Sequence, residues 1–310
     1  MEQGNVSGMD RILILKPRLD VTFKEGQVPE ERGDISPIRQ HWANFIEHLQ
    51  KAHPDALLME CPLWQMSVEK IQFMNPDIVY VPHKQQIDFP IAPPIEVRYY
   101  MQTVFPWLFS IDPVGWEGGS SAWQQPPLGD VNGSHWDELK NYINKGGTKF
   151  GDLQPHRTEK MFDQGYILYV CQLPHDETIK YHSDVEVIEA LQMCFDDAEK
   201  RGIPVVVKGH PVNPGSMTEL KRATMKNSNA TWVENVNIHD LLEDCSEVHL
   251  VNSGVGYEAI LHEKKVVAYG RAMYSSVVGG EPDLKLYRQF INGFVDWCYD
   301  TKTGRGFDRL

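Results

Sequence analysis

Residues 205–215, VVVKGHPVNPG, run from valines into a lysine, a glycine, a histidine and two prolines. Lys208 and His210 can set a cation and an imidazole beside an anionic group. Pro211 and Pro214 restrict the loop, so little ordering entropy is lost when a ligand binds. The plain alternative is a capped turn with an exposed histidine. Residues 252–258, NSGVGYE, put Asn252, Ser253, Gly254 and Gly256 where a helix begins. Free amide N–H groups and the helix dipole favour a phosphate there, glycine lets the backbone come close, and Ser253 adds a hydroxyl. Simple N-capping by Ser253 is the competing account. Glu258, one turn further on, can accept hydrogen bonds from ribose hydroxyls or merely complement the dipole. In CQLPHDETIKYHS, residues 171–183, Asp176 can act as nucleophile or base, and a helix expected well downstream gives it no obvious capping role. His175, Glu177 and His182 compete with it, and a solvated loop acid is the bland reading. Gln172 opens that stretch, and Tyr274 closes GRAMY, residues 270–274.

These residues share a place in the pattern of elements. Short apolar runs at 166–171, 203–207, 248–251 and 266–269 read as strands. The intervening stretches 185–201, 216–225, 238–244 and 257–262 read as helices, with Thr231 and Trp232 in a further short strand. Uniformly apolar strands alternating with helices indicate a parallel sheet covered on both faces, a Rossmann-like domain. Ligands of such sheets lie outside the carboxyl ends of the strands. Each polar, glycine-rich stretch above follows one of these runs, so together they mark one edge as a site.

The N-terminal half repeats the rhythm more weakly. Residues 11–16, 56–61 and 77–81 read as strands, and 36–52, opening with Ser-Pro, as an amphipathic helix after a polar loop. Between residues 89 and 133 the rhythm breaks into a segment rich in proline, glycine and tryptophan, expected to be irregular. Its Trp107, Trp116 and Trp123 either pack or offer flat faces to sugar rings. Residues 284–299 read as a closing amphipathic helix that packs back toward the first domain, and the polar end of the chain as a frayed tail. The expected division is 1–155, 156–283 and 284–310, the first two being Rossmann-like domains facing a cleft.

Composition bounds the partners. The chain has 310 residues, 41% of them hydrophobic, enough for two domains with real cores. Its 30 Lys and Arg against 43 Asp and Glu leave a net charge of −13, which argues against non-specific binding to nucleic acid or an anionic membrane. The five cysteines are isolated, with no CxxC pair to suggest a zinc or redox centre, and fit a reducing cytoplasm. Neither a membrane helix nor an N-terminal leader is apparent, and Met9 is an alternative start to the first eight residues.

The blocks YVCQLPHDETIKYHS, VVVKGHP, VNSGVGYEAI and VVAYGRAMY, in this order over residues 166–275, resemble those of the bacterial capsule polysaccharide biosynthesis family, which includes retaining β-Kdo transferases. The resemblance implies a GT-B glycosyltransferase using a nucleotide-sugar donor and a glycan or glycolipid acceptor, without cofactor or metal. Asp176 matches the family's catalytic aspartate, proposed to form a glycosyl-enzyme adduct, and His210 the histidine of the donor-binding His-Pro motif. Ser253 and Glu258 match residues at the nucleotide end, and Lys208 adds positive charge. Asn252, Gly254 and Tyr274 lie in the matched blocks, as do Gln172, Glu177 and His182. Two departures stand out. His175-Asp176 replaces an acidic pair, and Thr178 stands where Ser or Gln is usual, so the transferred sugar is less defined than the reaction class.

The implied chemistry is self-consistent. Transfer of Kdo or a related keto sugar from a CMP-activated donor passes through an oxocarbenium-like transition state. Histidine, lysine and helix-terminal N–H groups can stabilise the departing nucleotide, and no Asp-x-Asp pattern offers a metal site. The competing hypotheses are a non-catalytic nucleotide-sugar binding protein and a UDP-sugar epimerase of GT-B shape.

Overall fold

The computed structural model describes residues 9–17, 37–155 and 165–310. The first eight residues, the polar loop expected after the first strand and Ser36 lie outside them. The chain divides into two units, one taking Met1–Gln102, Pro106–Trp116 and Cys298–Leu310, the other Thr103–Phe105 and Glu117–Trp297.

The first unit contains β1 (Arg11–Lys16), α1 (Pro37–Ala52), β2 (Leu57–Pro62), α2 (Val68–Met74), β3 (Ile78–Pro82), β4 (Glu96–Gln102) and β5 (Leu108–Asp112). Its sheet has six strands in the order β11-β5-β4-β3-β1-β2, where β11 is Tyr299–Asp300 from the end of the chain. β2, β1, β3 and β4 run parallel, while β5 and β11 are each antiparallel to their neighbour. The β1 interior, Ile12 to Leu15, is wholly buried, as expected for a strand covered on both faces. α1 buries Ile38, Trp42, Phe45 and Leu49, spaced along one helical face, and the Phe45 ring stacks on Phe109 at 4.4 Å. α2 is capped by the Ser67 hydroxyl, which accepts from the Lys70 amide at 3.3 Å, and stops at Asn75 in the left-handed region.

The second unit has an all-parallel, five-stranded sheet in the order β10-β9-β6-β7-β8. Its strands are β6 (Ile167–Val170), β7 (Val205–Lys208), β8 (Ala230–Val233), β9 (Glu247–Leu250) and β10 (Lys265–Ala268). Its helices are α3 (His135–Asn144), α4 (Glu177–His182), α5 (Val187–Arg201), α6 (Thr218–Lys226), α7 (Ile238–Asp244), α8 (Val255–Leu261) and α9 (Leu284–Trp297). Tyr169, Val207, Leu191, Cys194 and Leu220 knit β6, β7, α5 and α6 into one core. Both units are therefore Rossmann-like, as the alternating pattern predicts.

Several expectations need correcting. The segment read as irregular contains β4 and β5, and Trp116 is a core residue at 2% exposure, with no face for a sugar. The end of the chain is not frayed. Tyr299 pairs with Phe109 and Asp300 with Leu108, and Asp300, Thr301 and Leu310 are buried. Nor does the division fall at residue 155 and again at 283. α3 packs with α8 and α9 inside the second unit, so 117–155 and α9 belong there, while 298–310 return to the first sheet. Among the described residues no helix is long and apolar enough to cross a membrane.

Candidate functional site

Because the second sheet is all-parallel, the carboxyl ends of its strands share one edge, and the segments leaving that edge carry the candidate residues. Gln172 and Asn252, both buried, tie the segments after β6 and β9 together. Gln172 Nε2 donates to Asn252 Oδ1 at 2.9 Å, and the Asn252 amide donates to Gln172 Oε1 at 2.9 Å. Asn252 Nδ2 also donates to the carbonyls of Thr178, at 3.0 Å, and His182, at 3.3 Å. These residues are a brace beneath the site.

Asp176 does cap a helix, contrary to the expectation from sequence. It is the N-cap of α4, a short helix that the sequence pattern did not reveal. Its Oδ1 accepts from the Thr178 amide at 2.8 Å and from the Thr178 hydroxyl. Among the described residues no hydrogen bond reaches Oδ2. One oxygen is thus held in a fixed orientation by the cap. Glu177 lies in the first turn of α4, and His175 is exposed. His182 is buried at the end of α4, and burial, reinforced by Arg271, lowers its pKa to about 4.

Lys208 ends β7 with 4% exposure, and its Nζ lies 3.4 Å from the Gly209 carbonyl. Burial lowers its pKa to about 8, against the opposing pull of Cys171 and Glu258. His210 stands in a tight turn where the Val212 amide donates to Nδ1 at 3.1 Å, and the Val212 carbonyl lies 3.3 Å from the same nitrogen. Nδ1 is thus in reach of both a backbone donor and a backbone acceptor, and the neutral ring fits the turn with its proton on either nitrogen. Burial lowers the His210 pKa against an opposing hydrogen bond to the Val212 backbone, while Lys208 lowers it further and Asp176 works the other way. The neutral form is therefore favoured at neutral pH.

Ser253 precedes α8, and its hydroxyl accepts from the Val255 amide at 3.2 Å. The Gly256 and Tyr257 amides are also taken, by the carbonyls of Ser253 and Gly254. The N-cap position itself is Gly254, with Ser253 holding the Val255 amide from one residue further out, and the first turn of α8 offers fewer free N–H groups than its glycines suggest. Tyr274 donates to the Ser253 carbonyl at 2.6 Å, and a Cβ on Gly256 would lie 2.3 Å from the Tyr274 ring, so that position must be glycine. A Cβ on Gly254 would lie 3.0 Å from Val104 Cβ, a tight contact that a small shift could relieve. Glu258 is 1% exposed, bonds the Thr148 side chain and lies 3.9 Å from His239 Nε2, yet among the described residues its Oε1 has no hydrogen-bond partner. Burial raises its pKa despite His239, Thr148 and Lys208.

Sequence reasoning missed Glu117, Thr148, Lys149 and His239. Glu117, with positive φ, accepts from the Tyr257 hydroxyl at 2.9 Å and the Met273 amide at 3.3 Å. Burial raises its pKa. Lys149 is partly buried, and desolvation lowers its pKa to about 8, against the attraction of Asp176 and Glu117. The available signal was Gly146-Gly147, a pair that ends a helix and turns the chain back.

Asp197, Glu247 and His249 bring ligand atoms within 4.8 Å of one another, but at the opposite, amino-terminal end of β9. Arg201 bonds both Asp197 and Glu247, and Lys265 lies 3.5 Å from Glu247. Burial pushes the Glu247 pKa up, but hydrogen bonds from His249 and Arg201 outweigh it and hold it at about 2. These cations already neutralise the cluster, which is an internal ion-pair network.

Two Rossmann-like units, the second with a polar edge of this kind, define a fold of the GT-B class. The profile of the family described as capsule polysaccharide biosynthesis protein matches residues 130–287, and the chain belongs to that family. It is 26% identical over 153 residues to the capsule polysaccharide export protein KpsS of Escherichia coli, a match that spans 41% of this chain and 39% of that protein. Among solved structures it is similar to the β-Kdo 2,7 transferase of Thermosulfurimonas dismutans KpsC, with a TM-score of 0.55 and 17% identity over 93% of this chain and 90% of that one. The β-Kdo 2,4 transferase of the same KpsC gives 0.55 and 16%, over 86% and 92%. At these identities the likeness is one of fold.

Proposed function

We propose that this chain is a glycosyltransferase that moves Kdo, or a related keto sugar, from a CMP-activated donor onto a glycan or glycolipid acceptor with retention of configuration. The observation that carries this reading is the state of Asp176, whose Oδ1 is locked by its own cap while Oδ2 is left without a hydrogen bond among the described residues. It stands on the edge that also bears Lys208 and His210, in a member of a capsule-synthesis family with the fold of Kdo transferases.

In the proposed reaction Asp176 Oδ2 attacks the anomeric carbon, and the bond to the CMP phosphate breaks with its electron pair staying on the phosphate oxygen. In the tautomer with its proton on Nε2, neutral His210 donates to the departing phosphate, and Lys208 offsets its charge. An acceptor hydroxyl then attacks the same carbon, loses its proton to solvent or a base, and releases Asp176 as a carboxylate. The two inversions give net retention. Ser253, Asn252, Gly254, Glu258 and Tyr274 shape the nucleotide end, with Glu258 accepting from the ribose hydroxyls. Gln172, Glu177 and His182 support the Asp176 segment. The reaction as written requires neither cofactor nor metal. The reading puts the enzyme in the cytoplasm, with peripheral contact to a membrane when the acceptor is a glycolipid.

Incubation with a CMP-activated keto sugar should add the mass of the sugar to the peptide containing Asp176. An adduct elsewhere sinks the nucleophile assignment. Thermal shift with CMP, UMP, UDP and GDP tests the donor, since stabilisation by UDP alone favours the epimerase reading. A donor bound without turnover in the presence of acceptor leaves the non-catalytic one.

A further inference from the structure

Asp176 is fixed by more than its place at the head of α4. Its backbone is pinned on both sides, the amide donating to the Leu173 carbonyl at 3.0 Å and the carbonyl accepting from the Lys180 amide at 3.0 Å. Its side chain meets Thr178 twice, through the Thr178 amide at 2.8 Å and through the Thr178 hydroxyl, and both donors fall on Oδ1. Capping accounts for the amide contact, because an N-cap side chain need only accept a backbone N–H. The hydroxyl contact adds nothing to the helix end, since it satisfies no backbone group. A threonine inside a helix commonly turns its hydroxyl back to the carbonyl four residues earlier, whereas this one donates to a carboxylate. Thr178 is itself held in place. Its carbonyl accepts from Asn252 Nδ2 at 3.0 Å, and Gln172 Nε2 donates to the Asn252 side chain at 2.9 Å. The hydroxyl is thus carried by a segment braced through two buried side chains.

We infer that Thr178 is a positioning residue whose hydroxyl makes Asp176 a better leaving group in the second half of the reaction. The inference rests on the nucleophile reading given above and deepens it. In the first step a lone pair of Oδ2 forms the bond to the anomeric carbon, the bond from that carbon to the CMP phosphate breaks, and the carboxylate becomes a neutral ester. In the second step water or an acceptor hydroxyl forms the new bond to the same carbon and loses its proton to solvent or a base. The bond to Oδ2 breaks with its electron pair staying on Asp176. The returning negative charge is shared by both carboxylate oxygens, so Oδ1 gains charge in this step and loses it in the first. Hydrogen bonds to an oxygen strengthen as it gains charge. The Thr178 donors therefore act against attack and favour release. Any residue except proline at position 178 supplies the amide, and the hydroxyl is what this side chain adds.

The test compares wild type, Thr178→Val, Thr178→Ala and Thr178→Ser, each first checked for a cooperative thermal melt. Each is mixed with CMP-Kdo and no acceptor, so that water completes the reaction. Mass spectrometry of quenched samples follows the adduct on the peptide containing Asp176 as it appears and, after rapid removal of donor, as it decays. Loss of one hydrogen bond to the departing carboxylate should lengthen the adduct half-life about tenfold in Thr178→Val and Thr178→Ala. Adduct should appear no more slowly than in wild type, and Thr178→Ser should match wild type in both rates. Loss of structure alone has the opposite sign, slowing appearance and leaving less adduct. The alanine variant decides the matter if the valine variant fails to melt cooperatively. Unchanged half-lives in the variants that lack the hydroxyl would overturn the inference, as would a serine variant that behaves like valine. Slower appearance with an unchanged half-life would make the hydroxyl an aid to aiming alone and overturn it too. These outcomes, seen beside an Asp176 adduct in wild type, leave the nucleophile reading standing. Wild type that forms no adduct on Asp176 overturns that reading itself, and this inference with it.

Discussion

Gln172 and Asn252 exchange two hydrogen bonds of 2.9 Å across 80 residues of sequence, and both side chains are buried. The pair holds the segment that carries Asp176 against the segment that carries Ser253. Removing either partner strands buried polar groups of the other, at a cost of about 1–3 kcal/mol. Gln172→Ala and Asn252→Ala should each destabilise the protein by that order, and the double variant should cost clearly less than the sum. Urea unfolding of the four proteins in the cycle measures the coupling, and strict additivity would show that the two side chains act independently.

Asp176 combines a cap with a proposed nucleophile, and two substitutions separate these roles. Asparagine caps helices about as well as aspartate, so Asp176→Asn should keep stability within roughly 0.5 kcal/mol. Its neutral amide is no nucleophile, and turnover should fall by several orders of magnitude. Asp176→Ala should lose turnover and also about 1 kcal/mol of stability. Paired melting and transfer assays check this, and near-normal transfer by either variant would rule out the nucleophile role.

Lys208 and Lys149 both have pKa values lowered to about 8 by burial. Each is charged below that pH and neutral above it, and because Lys208 is the one assigned to the nucleotide phosphate, its loss of charge should make affinity for CMP fall as pH rises from 7 through 8 to 9.5. Lys208→Met should bind CMP more weakly at pH 7 and show a shallower decline. The stability effect has the opposite sign. Between about 8 and the ordinary lysine value of 10.5 the unfolded chain holds more protons than the folded one, so these lysines make folding more favourable as pH rises through that window. Calorimetric titrations at stepped pH test the binding slope, and a flat profile in wild type would remove Lys208 from the anion site.

Gly256 faces the Tyr274 ring at a distance no Cβ can occupy, and Tyr274 in turn holds the Ser253 carbonyl. Gly256→Ala should therefore push the ring aside, cost about 1–3 kcal/mol of overpacking and weaken nucleotide binding together with stability. Tyr274→Phe should remove only the hydrogen bond, for about 1 kcal/mol. Thermal melts of both variants decide, and an alanine variant as stable as wild type would mean that the packing around Tyr274 yields freely.

The alternation of apolar runs and amphipathic helices from residue 166 onward was legible in the sequence because burial on both faces of a parallel strand is written locally, residue by residue. The same pattern placed Lys208, Asn252 and Tyr274 on the carboxyl edge, since strand direction alone decides which end of a parallel strand carries the site. What escaped the sequence depends on contacts between distant residues. The tail is polar and reads as loose, but Tyr299 and Asp300 pair with Phe109 and Leu108, far away in the chain. The brace from Gln172 to Asn252, the passage of residues 147–150 beside His239, Glu258 and His210, and the field of Asp176 and Glu117 on Lys149 likewise arise only when separate loops are folded together. α4 escaped for another reason. Six residues are too few for a helical period to stand out, and a helix that short persists through its Asp176 cap and its tertiary contacts more than through its own propensity. Local burial patterns thus defined the sheet and its candidate edge, while the charge state and orientation of the groups on that edge were decided by tertiary packing, because electrostatic coupling and hydrogen bonding depend on distance in space and not along the chain.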